Sequence, residues 1–233
     1  MTRLTCDAIA LPRPDGPYPD GEDAYGFDEP GMLLAVSDGA GSAFASRLWA
    51  RILVRRFLDD PRPALDDDAQ GWLAAAGADW TAGLDLGRSP RLARKAAGGS
   101  GATLLGVAAT GTGWKAVAAG DTCLFHLRED RLVTAFPHTE PAQLDRAPVL
   151  VHTSAPTPLT TAAGDLRPGD RLLVATDALA RWMLAEAATD PGVWRWLALA
   201  NPAMAAADLT EARARGVIAD DDITLLRATI SYG

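Results

Sequence analysis

Cysteine is nearly missing from this chain of 233 residues, where Cys6 and Cys123 are the two present. They lie far apart and carry no metal or redox spacing, which excludes a disulfide framework, a cysteine zinc site and a thioredoxin-type pair. Lysine is almost as scarce, at Lys95 and Lys115. Neither follows a glycine, so a Walker A phosphate loop is excluded. Basic charge as a whole is short: 22 Lys and Arg against 30 Asp and Glu leave a net charge of −8. A protein that grips a phosphate backbone needs a basic face, so nucleic acid is not the expected partner. No apolar run is long enough to cross a bilayer, and the first twenty residues, broken by Pro12 and Pro14, lack a signal pattern. These absences predict no membrane partner and a cytoplasmic location. With 22 Gly and 16 Pro the chain is neither fibrous nor disordered, and 48% hydrophobic against 22% charged residues is ordinary for a globular protein. The length suits one domain spanning residues 1–233 whose core needs no staples.

The hydrophobic pattern predicts strands at 4–11, near 24–27 and at 32–37, then helices at 43–58 and 69–84. The period then shortens, with strands at 101–109, 114–119, 122–128 and 131–136 joined by turns at Gly111-Thr112-Gly113 and Glu129-Asp130. Residues 137–170 are rich in Pro and Thr, with one strand at 149–152. A strand at 171–176, helices at 177–187, 191–200 and 203–215, and a strand at 223–230 complete the chain. Helices segregate from the run of strands, so the expected class is α+β.

Chemistry is suggested by where the acids fall. Asp38 follows the apolar run MLLAVS and Asp177 follows RLLVAT; Asp121 lies between two strands; Asp220, Asp221 and Asp222 precede the last strand; Glu22 and Asp23 precede an early one. Strand ends that meet at one edge would crowd these carboxylates, and such a cluster repels itself unless a cation sits among it. The fitting cation is hard and divalent, Mg²⁺ or Mn²⁺, bound through oxygen. Taken singly, each motif has an ordinary explanation. Asp-Gly is a common turn, Asp177 can N-cap the next helix, and Asp121 and the Asp220–Asp222 run can be solvated turns.

Their order resembles the metal-dependent, type-2C (PPM) protein phosphatases. The matching segments are Glu22-Asp23-Ala24, Val36-Ser37-Asp38-Gly39, Gly101-Ala102-Thr103, Gly120-Asp121-Thr122, Ala175-Thr176-Asp177-Ala178-Leu179 and Asp221-Asp222-Ile223-Thr224. The resemblance implies a four-layer α-β-β-α sandwich with two antiparallel sheets flanked by helices, and a short flap segment at about 137–170. It further implies Asp38 bridging two metals, the Gly39 carbonyl on one of them, Asp177 and Asp221 on the other, Glu22 and Asp23 holding metal-bound water, and Asp121 on a third. The implied catalytic residues are Asp38 and Asp23. The implied activity is hydrolysis of phosphoserine and phosphothreonine by a bridging metal-bound hydroxide, on a phosphoprotein substrate paired with a Ser/Thr kinase in a bacterial signalling system.

Many relatives carry an Arg shortly before the first acidic motif; here that stretch is Pro17 to Gly21, and Arg13 is the nearest candidate for substrate binding, with Arg3 beyond it. Ala178 stands where a Gly is usual and Asp222 where an Asn is usual. The missing Arg keeps a pseudophosphatase, a binding module on the same fold, as the alternative. A dinucleotide site at Gly39-Ala40-Gly41 fails because Phe44 occupies the third glycine position. His126 is expected to be structural, and His138 and His152 are weak candidates for a general acid. Trp182, Trp194 and Trp196 are expected to pack helices, and Cys123 to face a strand interior.

Overall fold

In the computed structural model, which describes residues 2–66, 68–144 and 148–232, the strand and helix periodicities separate into two sheets and two helical layers. In chain order the first half holds β1 (Thr2–Leu11), β2 (Ala24–Asp28), β3 (Leu33–Ser37), α1 (Ser46–Asp59), α2 (Arg62–Leu65), α3 (Ala69–Gly83) and α4 (Pro90–Ala97). Next come β4 (Gly101–Ala102), β5 (Leu104–Ala109), β6 (Gly113–Ala119), β7 (Cys123–Arg128), β8 (Arg131–Phe136), β9 (Val151–His152) and β10 (Thr160–Asp165). The chain closes with β11 (Arg171–Ala175), α5 (Asp177–Ala187), α6 (Gly192–Leu199), α7 (Pro202–Ala214) and β12 (Ile223–Tyr232).

One five-stranded sheet runs β1-β12-β11-β7-β8 and the other β10-β6-β5-β3-β2, with β4 and β9 as a small separate ladder. Every pairing is antiparallel. The sheets meet face to face through Leu34, Val36, Leu105, Val107, Leu172, Val174 and Leu226. The outer face of the second sheet is covered by Trp49, Leu53 and Phe57 of α1 and by Trp72 and Trp80 of α3. The outer face of the first is covered by Leu179 and Met183 of α5, Trp194 and Leu197 of α6 and Leu209 of α7. Helix, sheet, sheet and helix thus stack in four layers. Both sheets are buried on both sides, which explains the unbroken apolar runs at β3 and β11.

Several expectations change. Residues 85–100, without an assigned element, contain α4; its N-cap Ser89 accepts the Leu92 N–H, and Pro90 opens the helix. The segment 137–170 holds β10, which pairs with β6 as a sheet edge; residues 145–147 lie outside those described. Val149 is exposed, and the strand there begins at Val151. Helix α1 starts at Ser46, because Ala45 takes a left-handed conformation with φ 53°. Its buried face is Trp49, Leu53 and Phe57, with Phe44 outside the helix. The strands from 101 to 136 are not one meander: the chain changes sheets between β6 and β7, at Gly120 and Asp121.

His126 is a structural residue. Its Nε2 lies 2.9 Å from Asp170 Oδ2, its Nδ1 3.4 Å from the Trp114 indole nitrogen, and Asp170 also accepts from Arg128. Burial drives the Cys123 thiol up to about 12, which leaves it a small apolar filler on β7. Among the described residues no helix is long and apolar enough to cross a membrane.

Candidate metal centre

The acids meet because each ends or begins an element at the same edge of the sandwich. Asp38 follows β3, where the next strand along the sheet holds it: its N–H donates to Thr103 Oγ1 at 2.9 Å and its carbonyl accepts the Thr103 N–H at 2.8 Å. Thr103 Oγ1 is in turn 2.8 Å from Thr122 Oγ1. The Gly-Ala-Thr and Gly-Asp-Thr motifs therefore orient the backbone of the Asp-Gly motif. Gly39 allows a close approach, since a Cβ there would lie 2.9 Å from the Glu22 carbonyl oxygen.

Asp177 is the first residue of α5, and the N-cap is Thr176. The capping explanation for Asp177 is thereby corrected: Thr176 takes the cap position and Asp177 is left to line a cleft. The cleft has a volume of about 610 Å³ and is also lined by Glu22, Asp38, Gly39, Asp121 and Asp221. Asp23 lies beneath it, where its Oδ2 accepts from Thr224 Oγ1 at 2.7 Å. Asp222 serves the cleft as a clamp on the chain: its two oxygens accept the Arg13 N–H at 2.6 Å and the Glu22 N–H at 2.5 Å. An Asn there would lose one acceptor, which accounts for Asp at this position.

The electrostatics follow from the crowding. Burial pushes the Asp38 carboxyl well above its ordinary value, and the neighbouring charges of Asp23, Asp177, Asp221 and Asp121 push the same way. Burial raises Asp23 to about 7, against the hydrogen bond from Thr224. Burial also raises Asp177 and Glu22, opposed by the Ala178 N–H in the first case and by Ser46 in the second.

Among the described residues no three acids, imidazoles or thiols are drawn together around one point as a finished chelate. The donor set nonetheless fits a hard divalent cation. It is all oxygen, it is crowded with like charge, and Asp23 Oδ1 is buried without a partner among the described residues. The backbone of Gly39 adds to it, because its bridge to Ala102 leaves the bonding to the flanking residues, Ala40 with Gly101 and Asp38 with Thr103.

Among the described residues two cations line the cleft. Arg13, the candidate from the sequence, does so from the loop after β1. Arg181 does so from α5 and was missed. Its signal was its spacing: it lies four residues after Asp177, on the same helix face. Arg3, on β1, does not line the cleft, nor do His138 and His152. His138 Nε2 lies 3.2 Å from the Gly120 carbonyl oxygen instead. The stretch expected to carry a phosphate-gripping Arg is tied to α1: Asp20 pairs with Arg47 and Arg51, and the Arg47 guanidinium lies 5.1 Å from the Tyr18 ring centre.

The profile of the family described as protein phosphatase 2C matches residues 21–212. No curated protein matches. Among solved structures, the catalytic domain of the serine/threonine protein phosphatase PstP in complex with two manganese ions aligns with a TM-score of 0.69 and 20% identity, over 100% of both chains. Mycobacterium tuberculosis PstP/Ppp gives 0.68 and 20%, over 99% of this chain and 100% of that one. PppA, a regulatory component of the Pseudomonas aeruginosa type VI secretion system, gives 0.69 and 21%, over 99% of this chain and 100% of that one. At these identities the likeness speaks to the fold.

Proposed function

The chain belongs to the protein phosphatase 2C family, and from that premise we propose that it is a metal-dependent phosphoprotein phosphatase, acting as one domain on phosphoserine and phosphothreonine. The observation that carries this reading is the crowding of Asp38: its half-buried carboxyl shares an oxygen-lined cleft with Asp177, Asp221 and Asp121, and the charge of Asp23 acts on it as well. Asp38, the Gly39 carbonyl, Asp177 and Asp221 would hold two Mn²⁺ or Mg²⁺ ions, with Glu22 and Asp23 behind them and Asp121 at a third position. When bound, such ions neutralise phosphate charge and make water nucleophilic at neutral pH.

The chain's own residues do the rest. Arg13 and Arg181 offer guanidinium donors that fork onto phosphate oxygens and orient the substrate. Asp23 stands beside the cleft with its Oδ2 fixed by Thr224, where its carboxylate could orient a water held by the metals. Thr103 and Asp222 fix the backbone at Asp38 and Glu22, and Thr224 fixes the Asp23 carboxylate, so the donors are placed before substrate arrives. The substrate side points to a phosphoprotein made by a Ser/Thr kinase, with both partners in the cytoplasm.

The test is hydrolysis of p-nitrophenyl phosphate and of a phosphothreonine peptide, with Mn²⁺ and with chelator. Mn²⁺-dependent turnover of both should fall by about a thousandfold or more in Asp38→Asn, with the circular dichroism of the variant unchanged. Full activity in Asp38→Asn would overturn the metal assignment. Binding of Mn²⁺ without turnover of either substrate would identify a pseudophosphatase.

A further inference from the structure

The second cavity of interest lies away from the metal centre, on the outer side of the helical layer formed by α5, α6 and α7. It has a volume of about 420 Å³. Trp182 of α5 and Trp196 of α6 form two of its walls, with ring centres 6.2 Å apart and planes at 83°. Their neighbour Trp194 does the packing expected of all three: it is 3% exposed and lies 5.1 Å from the Phe125 ring. Trp182 and Trp196 are only partly buried and pack on that core from outside. The indole nitrogen of Trp182 is buried and has no hydrogen-bond partner among the described residues.

The polar lining has one sign. Glu186 from α5, Asp190 from the turn before α6 and Asp208 from α7 face the cavity, and no Lys or Arg is among its described lining residues. Asp190 Oδ1 accepts the Gly192 N–H at 2.8 Å. Among the described residues none of the three is in an ion pair, and nearby cations are engaged elsewhere: Arg195 with Asp130 and Arg215 with Glu211.

Indole faces carry negative potential, and three carboxylates beside them deepen it, so this cavity attracts a cation. A bare divalent ion, which wants oxygen on every side, is a poor fit because Trp182, Val193, Trp196, Leu209 and Ala212 make most of the wall apolar. A small organic cation would answer one charge of three. An arginine side chain fits best: its flat guanidinium stacks on an indole and forks onto a carboxylate, and a second basic residue nearby would answer a second of the three charges. We propose that the cavity between α5, α6 and α7 docks a basic, arginine-containing segment of a partner protein, with one guanidinium against Trp182 and Trp196 and the segment's basic groups paired among Glu186, Asp190 and Asp208. The site is linked to the metal centre through α5, which carries Asp177 at its first turn and Trp182 five residues on, about 8 Å along the axis.

The test is titration calorimetry on the full chain in Mn²⁺ buffer, using a short unphosphorylated peptide with two arginines and its citrulline counterpart. The arginine peptide should bind, bind less at high salt, and lose about tenfold in affinity in Trp196→Ala. The double variant Glu186→Gln/Asp208→Asn, which keeps side-chain shape, should show the same loss. Hydrolysis of p-nitrophenyl phosphate should be unchanged in both. Equal binding of the citrulline peptide, or an affinity unmoved in the double variant, overturns the proposal. So does binding of tetramethylammonium alone, or a concentration-dependent dimer that occupies the site. The readout does not depend on turnover, so it stands or falls apart from the phosphatase reading.

Discussion

Asp170 is buried and Asp38 half-buried, and their surroundings make them opposites. Asp170 is 1% exposed and answers three partners, His126, Arg128 and the Arg167 N–H. Burial works to raise its carboxyl, but hydrogen bonds from Arg128, His126 and the Arg167 N–H outweigh it and hold the group below its ordinary value. A lowered folded-state value stabilises the protein above the unfolded value of 3.8 and is lost as pH falls through the folded one. Asp170→Ala should cost about 3 kcal/mol, because it leaves buried His126 without its acceptor and Arg128 with Asp165 alone; urea denaturation at pH 7 measures it. It should also remove part of the acid sensitivity below pH 4. Asp38 has like charges around it instead, so its removal should leave the metal-free fold intact or firmer while ending turnover. Arg181 belongs to this scale too. Arg181→Ala should raise KM for p-nitrophenyl phosphate about tenfold, read from initial rates at saturating Mn²⁺, and the same substitution at Arg13 tests which guanidinium carries more of the binding.

At the scale of elements, the packing of α1 on its sheet depends on one small residue. Gly106 of β5 lies under the Phe57 ring, and a Cβ there would occupy the space of that ring. Phe57 is fully buried and cannot move into solvent. Gly106→Ala should therefore cost about 1–3 kcal/mol by overpacking, or about 2–4 °C of melting temperature per kcal/mol for a chain of this size. Differential scanning calorimetry reads the shift. The loop from β1 to β2 is a second such case. Gly21, at φ 76°, leaves 2.8 Å between a would-be Cβ and Asp222 Oδ2, which lets Asp222 clamp Arg13 and Glu22 together.

For the whole molecule, the cleft acids set the response to pH and metal. A carboxyl raised in the folded state contributes stability that is full below its unfolded value and lost as pH rises through the folded one. For Asp23 that window runs from 3.8 to about 7. Chelator-treated protein should thus melt at lower temperature as pH rises from 4 to 7, and Mn²⁺ at a hundred times its Kd should return about 5–10 °C at pH 7. A melting curve unmoved by Mn²⁺ would count against the site. Reading this site from the chain was possible because its acids sit next to local signals. Apolar runs end at Asp38 and Asp177, and the last strand begins beside Asp221, so strand ends and donor types were visible without a fold. Alternation and apolar content likewise exposed most strands and the helices at α1, α3 and α5 to α7. Four features depended on assembly. Exposed α4 has no buried face to give it an apolar stripe. Strand β10 is a polar edge, ordered by its pairing with β6. Arg181 becomes a cleft residue only once α5 is laid against the sheet. Trp182 and Trp196 separate from Trp194 only when α6 and α7 close beside α5. Local chemistry is written in neighbouring residues, whereas a partner brought from a hundred positions away is chosen by how the layers pack.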